Sequence, residues 1–343
     1  MSNTNIFMLK SLLDSSKNIL VTSHISPDFD AISSALFTTQ LLKYSQINAT
    51  CVLEDSPLQK VSFLYKFNEI IECNLWSWIQ KNIPDLIIIT DANTFSRVSR
   101  TEAAQIEQWV GDHSVPVIIM DHHELSGAYP TPYFLNHGYS SAAEEVYTTL
   151  VEEQKLKVYT DFAETLLLGI ISDTGRFLYK NTAHRHTFGL VSTLLDVGAS
   201  IEILQSKISR YGVSEVQILA ELLKNTVSTP EYNYSFLSDE YIANLKQSIT
   251  SIEILSAATG MYSNQYLRSI GSAQYGFIVM QDIARDIGYY KGSFRAINDT
   301  VDTSIWANTL GGGGHKAASG FKFEAKNLQT AMQTVIATIK NQA

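Results

Sequence analysis

Four short apolar runs in the first half of the chain each end abruptly in carboxylate or imidazole side chains. Pro116-Val117-Ile118-Ile119-Met120 runs into Asp121-His122-His123, and Ile19-Leu20-Val21 leads to His24-Ile25-Ser26-Pro27-Asp28-Phe29-Asp30. Leu86-Ile87-Ile88-Ile89 leads to Asp91, and Leu166-Leu167-Leu168-Gly169-Ile170-Ile171 leads to Asp173. A short β-branched run of this kind reads as a buried strand that delivers polar groups at its carboxyl end. One such coincidence carries little weight. Four of them predict a parallel sheet whose strand ends share one rim and one metal site.

The texture between these runs agrees. Ile19–Thr22, Ala49–Leu53, Leu86–Thr90 and Val117–Met120 are predicted strands, and Ala31–Tyr44, Thr101–Val110 and Ala142–Glu153 are predicted helices. Alternation of this kind implies an α/β domain, a doubly wound parallel sheet with helices on both faces. After Asp173 the pattern turns helical, over Thr187–Val197, Ser200–Ser206 and Ser214–Asn225, and Ser228-Thr229-Pro230 reads as a break. Tyr232–Leu237, Gln274–Gln281 and Tyr289–Ile297 are strand candidates, and Asn327–Asn341 is a closing helix. The expected organisation is a metal-carrying domain over 1–190, a helical linker over 191–228 and a smaller mixed α/β domain over 229–343.

With 343 residues, 45% of them hydrophobic and 17% charged, the chain can bury two ordinary cores. A net charge of −9 argues against a protein that coats nucleic acid, but leaves room for an enzyme acting on a short anion, because bound cations reverse the local field. Cys51 and Cys73 show no motif spacing, so no disulfide framework is expected. No apolar stretch reaches the roughly 18 residues of a spanning helix, and the first ten residues lack the pattern of a secretory leader. The expectation is a cytoplasmic protein with no membrane partner.

His24, Asp28 and Asp30 fall within seven residues around Pro27. A spacing of two lets Asp28 and Asp30 project to different sides of an extended stretch, so one segment can feed two adjacent ions. Asp91 stands where its two oxygens can bridge them, and His122 and Asp173 complete the second site. Imidazole mixed with carboxylate suits Mn²⁺, Fe²⁺ or Zn²⁺, and the carboxylate-rich balance leans toward Mn²⁺ or Mg²⁺. Two such ions, typically ~3.5–4 Å apart, acidify a bridging water and neutralise a phosphoryl oxygen, which is phosphoester hydrolysis. Each residue also has an ordinary reading: an Asp after a strand is often a helix cap or turn residue. Only their joint occurrence favours the metal.

The second signal is Leu310-Gly311-Gly312-Gly313-Gly314-His315-Lys316-Ala317-Ala318-Ser319-Gly320. Successive glycines carry a large entropy cost. Close approach of backbone N–H groups to an anion is the usual reason to accept it, and a flexible linker is the rival. Flanking Trp306 and Phe321 favour a packed, anion-binding element, with His315 and Lys316 adding donors. Lys291, Arg295 and Arg268 lie in the same half as candidates for further phosphate contacts, with a solvated surface charge as the rival reading.

These pieces, in this order and over nearly the whole chain, resemble the DHH phosphoesterase superfamily, and within it the bifunctional oligoribonuclease and pAp phosphatase branch. The quoted residues are the His24-to-Asp30 segment, Asp91, Asp121-His122-His123, Asp173 and the Gly311-to-Gly320 stretch of the associated C-terminal domain. The resemblance implies that His24, Asp28 and Asp91 hold one Mn²⁺, and that Asp30, Asp91, His122 and Asp173 hold the other. It implies that Asp121 orients an imidazole, that His123 faces the substrate phosphate, and that Gly311, Gly312, Gly313, Gly314 and His315 hold substrate across a cleft. Phe29 departs from the pattern, since related sequences often carry a small residue or proline there.

The resulting expectation is a two-metal phosphodiesterase that degrades very short RNA to nucleoside 5′-monophosphates and removes the 3′-phosphate of pAp. A long nucleic-acid track would need a basic groove, whereas a di- to pentanucleotide needs only a pocket. The rivals are a cyclic or linear dinucleotide phosphodiesterase and a catalytically idle nucleotide sensor. A homodimer is left open.

Overall fold

The structure is a computed structural model that describes residues 3–123, 133–178, 184–248, 252–285, 288–297 and 301–342. The chain divides into two units, Met1–Ser209 and Arg210–Ala343.

In the first unit six strands form one parallel sheet. They are β1 (Ile19–Thr22), β2 (Ala49–Leu53), β3 (Ile71–Glu72), β4 (Leu86–Thr90), β5 (Val117–Met120) and β6 (Tyr133–Leu135), in the order β3-β2-β1-β4-β5-β6. All neighbours pair parallel. Every residue of β1, β4 and β5 is buried, as expected of strands covered on both faces. The period of two assigns the faces. Ile19, Val21, Leu86, Ile88, Ile118 and Met120 pack with the helices Phe29–Tyr44 and Thr160–Asp173. Leu20, Ile87, Ile89, Val117 and Ile119 pack with Leu75 and Ile79 of Leu75–Asn82 and Ile106 of Ala103–Asp112.

One predicted strand is a helix. Leu166–Ile171 lies inside the helix Thr160–Asp173, and Asp173 is its last residue. Six apolar residues cannot be assigned by periodicity, and here Phe162, Ala163 and Thr165 extend the buried stretch beyond strand length. The metal rim is therefore three strand ends plus one helix end.

The residues expected as a linker are divided between the units. His184–Val197 and Ile201–Ile208 contribute Leu190, Leu194, Leu204 and Ile208 to the first core. Val213–Lys224 contributes Ile218 and Leu222 to the second. Ser228-Thr229-Pro230 is no domain break. It turns β7 (Val227–Ser228) into β8 (Tyr232–Phe236), and Thr229 N–H donates to Tyr232 O at 3.0 Å.

The second sheet adds β9 (Tyr275–Gln281), β10 (Tyr289–Ala296), β11 (Gly313–His315) and β12 (Ala318–Glu324), in the order β11-β12-β10-β9-β8-β7. Only β8 and β9 pair parallel, so the sheet is mixed. Ile278 and Met280 face helices carrying Leu222, Ile242 and Leu255, while Phe277 and Val279 face Trp306, Val335 and Ile339. No single helix among the described residues is long and apolar enough to cross a membrane.

Candidate metal centre

The strand order creates the site. β1 and β4 are neighbours, but the chain leaves β1 toward β2 over one face and leaves β4 toward β5 over the other. The loops after these two strands diverge, and the crevice between them is where an open α/β sheet holds its ligand. His24, from the loop after β1, and Asp91, at the end of β4, meet there with Nε2 and Oδ2 3.3 Å apart. β5 lies beside β4 and brings His122 Nε2 to 3.5 Å from Asp91 Oδ1. The end of the helix Thr160–Asp173 brings Asp173 Oδ2 to 3.4 Å from His122 Nε2.

Three ligand sets result, each with its donor atoms within 4.8 Å of one another: His24, Asp28 and Asp91; Asp30, His122 and Asp173; and Asp91, Asp121, His122 and His123. Asp91 belongs to two of them, and its two oxygens face different imidazoles. Its backbone is left-handed, φ +56°, a conformation uncommon outside glycine that Asp adopts more readily than most residues. All six predicted ligands are thus brought together.

Neighbouring groups hold these side chains in place. Asp28 also takes the ordinary role, capping the helix Phe29–Tyr44 by accepting Ala31 N–H at 3.1 Å. Phe29 is half-buried against the first core and displaces no ligand. Asp30 is fully buried and accepts Ala142 N–H at 2.6 Å and Ala143 N–H at 3.1 Å. Gly169 makes room for it: a Cβ there would lie 2.5 Å from Asp30 Oδ1 and 2.8 Å from Ala143 Cβ. Asp121, also fully buried, sits 2.7 Å from His123 Nδ1 and accepts His123 N–H at 3.3 Å. That fixes the imidazole of His123.

The charge balance calls for cations. Burial lifts Asp30 and Asp173 well above the ordinary carboxylate range, and neighbouring aspartates add to it. Burial alone would lower His24 and His122, but the Asp91 carboxylate outweighs it and both rise to about 9. Asp91 is held below its usual value despite burial, by His122 and His24. Asp91 Oδ1, Asp121 Oδ2 and His122 Nε2 are buried without a hydrogen-bond partner. Unsatisfied buried acceptors are costly, and a ligated divalent cation satisfies Asp91 and His122 together. The donor set therefore fits two oxygen- and nitrogen-loving ions.

The second unit's candidates are arranged differently. Gly311 N–H donates to Asn308 O and Gly312 N–H to Ala307 O, at 3.1 and 2.8 Å, closing the helix Thr303–Thr309. Gly313–His315 is strand β11, paired with β12. A Cβ on Gly312 would lie 2.0 Å from Gly320 O, and Gly314 has φ +138° with Ser319 Cα 2.7 Å from its missing side chain. Packing of β12 against this stretch accounts for much of the glycine requirement. Gly313 is the exception, since its nearest neighbour would be Asn308 Oδ1 at 3.3 Å. Arg295 lies on β10 with Nε donating to Asn264 Oδ1 at 2.9 Å, and Arg268 ends the turn Tyr262–Leu267. Lys291 is paired with Asp282 at 3.3 Å.

Several contributors escaped the reading of the sequence. Ser141-Ala142-Ala143-Glu144 has the spacing of a capping box, and Ser141 does accept Glu144 N–H, at 3.3 Å. That signal locates the amides that grip Asp30. Asn136 Nδ2 donates to His123 O at 2.9 Å, and nothing in the sequence marks it. β2 also ends in carboxylates, Glu54-Asp55, by the same pattern as the other strands, yet neither lies in a ligand set.

Comparison with known proteins follows the same division. Residues 18–170 match the DHH family, N-terminal domain, and residues 239–341 match the DHHA1 domain. The chain is 26% identical over 242 residues to the bifunctional oligoribonuclease and PAP phosphatase NrnA of Mycoplasma pneumoniae, covering 70% of this chain and 68% of that protein. It is 23% identical over 306 residues to the protein of that name in Bacillus subtilis, covering 88% of each. Among solved structures, an exopolyphosphatase-related protein from Bacteroides fragilis superposes with TM-score 0.86 at 20% identity, covering 99% of this chain and 96% of that one. The last likeness establishes the fold.

Proposed function

We propose that this chain, which carries a DHH domain and a DHHA1 domain, is a phosphodiesterase that cuts very short RNA to nucleoside 5′-monophosphates and removes the 3′-phosphate of pAp. The observation that carries the reading is Asp91, which groups with His24 and Asp28 on one side and whose Oδ1 on the other faces Nε2 of His122, itself grouped with Asp30 and Asp173. His24, Asp28 and Asp91 would hold one ion, and Asp30, Asp91, His122 and Asp173 the other. When bound, two divalent cations, Mn²⁺ in our reading, supply an acidified water and neutralise charge on the phosphate.

The protein's own groups do the rest. Asp121 holds His123 through Nδ1, which orients the ring so that its Nε2 edge can meet the substrate phosphate. Gly313 and its neighbours in the glycine run, with His315, Arg295 and Arg268, hold the remainder of the substrate. Net charge of −9 supports a short substrate over a long strand.

The deciding experiment is a product profile with Mn²⁺ from a labelled ladder of RNA lengths, pAp and cyclic di-AMP. Rapid release of monophosphates from di- to pentanucleotides, with AMP from pAp, is expected. Preference for the cyclic dinucleotide would replace this substrate assignment with the rival one, and tight binding without turnover would leave a sensor.

A further inference from the structure

The loop that carries His24 and Asp28 is gripped by a carboxylate that is not a ligand. Ser26, at the tip, has φ +55°, a left-handed turn for a residue with a side chain. Its N–H donates to Asp55 Oδ2 at 2.6 Å, and His24 Nδ1 lies 2.8 Å from Ile25 O. Ile25 O and Ser26 N–H belong to one rigid peptide plane. The imidazole N–H of His24 therefore donates to one end of that plane while Asp55 accepts from the other. Arg100 secures Asp55, with Nη2 2.5 Å from Oδ2 and Nε 3.4 Å from Oδ1, and Nη2 also donates to Ser26 Oγ at 3.0 Å.

A metal-binding histidine normally passes its second ring N–H to a carboxylate or carbonyl, which fixes tautomer and orientation and raises ligand basicity. We propose that Asp55, secured by Arg100, is a positioning residue that sets the tautomer and direction of His24 through the Ile25–Ser26 peptide. Hydrogen bonds in such a chain polarise one another, so the carboxylate acts at a distance it could not span directly. Arg100 is half-exposed, its side chain 52% accessible, and an ion pair of that kind ordinarily contributes little to stability. Its placement on the loop, rather than its strength, gives it a function. This gives the Asp55 carboxylate at the end of β2 a role. The inference rests on the two-ion reading.

Mn²⁺ titration calorimetry on the full chain tests it, beside imidazole ¹⁵N–¹H correlation spectra of the Mg²⁺-loaded protein. His24→Ala identifies which of two binding steps belongs to His24. Asp55→Ala should weaken that step roughly ten- to hundred-fold and leave the other within about threefold. The His24 spectrum should also leave the pure Nδ1–H pattern. Asp55→Asn keeps an acceptor for Ser26 N–H and should fall in between. Should Asp55→Ala fail to fold, Arg100→Ala gives the same test with a smaller loss at the same step. Equal weakening of both steps, or an unchanged His24 tautomer and affinity, would overturn the proposal. A wild-type protein that binds no Mn²⁺ would instead sink the two-ion reading beneath it.

Discussion

At the carboxyl ends of β4 and β5, Asp91 Oδ1, Asp121 Oδ2 and His122 Nε2 are buried without hydrogen-bond partners, whereas Gly311 and Gly312 hand their N–H groups to carbonyls of the helix before them. Both regions announce themselves in the sequence as dense runs of unusual residues. Physically they are opposites. The rim of the first sheet gathers carboxylates and imidazoles whose unsatisfied atoms a bound cation would satisfy. The glycine run is largely satisfied from within, and its small residues let two strands approach. Convergence of carboxylates and imidazoles from separate elements is the stronger mark of chemistry, and a composition signal alone does not separate the two cases.

The contrast can be broken by removing the ions. Chelation by EDTA should take hydrolysis of di- and trinucleotides to background, and Mn²⁺ should restore it better than Ca²⁺, which prefers more numerous and longer oxygen contacts. Full activity in excess chelator would erase the distinction between the regions. The next effect separates holding an ion from using it. His123→Ala should lower turnover by roughly 10²–10³-fold while both ions stay bound, because its partner is Asp121 on one side and the substrate on the other. Parallel loss of metal would make His123 a ligand instead.

A smaller and more pointed pair compares glycines across the regions. Gly169→Ala and Gly312→Ala should each cost about 1–3 kcal/mol in denaturant unfolding, since each new methyl lands within 2.5 Å of an oxygen. Only Gly169→Ala should also weaken metal binding, because that oxygen belongs to Asp30. If Gly312→Ala loses metal equally, the regions are not separable. Gly313→Ala should be the mildest, within about 0.5 kcal/mol of wild type in stability. It should still slow dinucleotide hydrolysis more than hydrolysis of bis-p-nitrophenyl phosphate, which needs no grip beyond the phosphate. Equal slowing of both would remove Gly313 from substrate holding.

Much of this was legible before the structure. β1, β2, β4 and β5 fall where their apolar runs placed them, because burial on both faces, complete in β1, β4 and β5, leaves an unbroken signal. Leu166–Ile171 was not legible as a helix from its own six residues, and the two-residue β3 and three-residue β6 are too short to carry a pattern. The candidate ligands were readable as residue types after apolar runs, although the run before Asp173 is a helix. Their supports, the Ala142 and Ala143 amides on Asp30 and the Ile25–Ser26 peptide behind His24, are backbone groups with no residue signature. Asp55 could have been found, since it repeats the pattern that exposed the others.

Asp91 tests the central claim most directly. Electron paramagnetic resonance of Mn²⁺ titrated into wild type and Asp91→Asn counts bound ions without any substrate. Two ions bound side by side in wild type, with both weakened together in Asp91→Asn and turnover abolished, is the predicted result. Two ions still bound to Asp91→Asn at wild-type affinity, or a single ion in wild type, would contradict it.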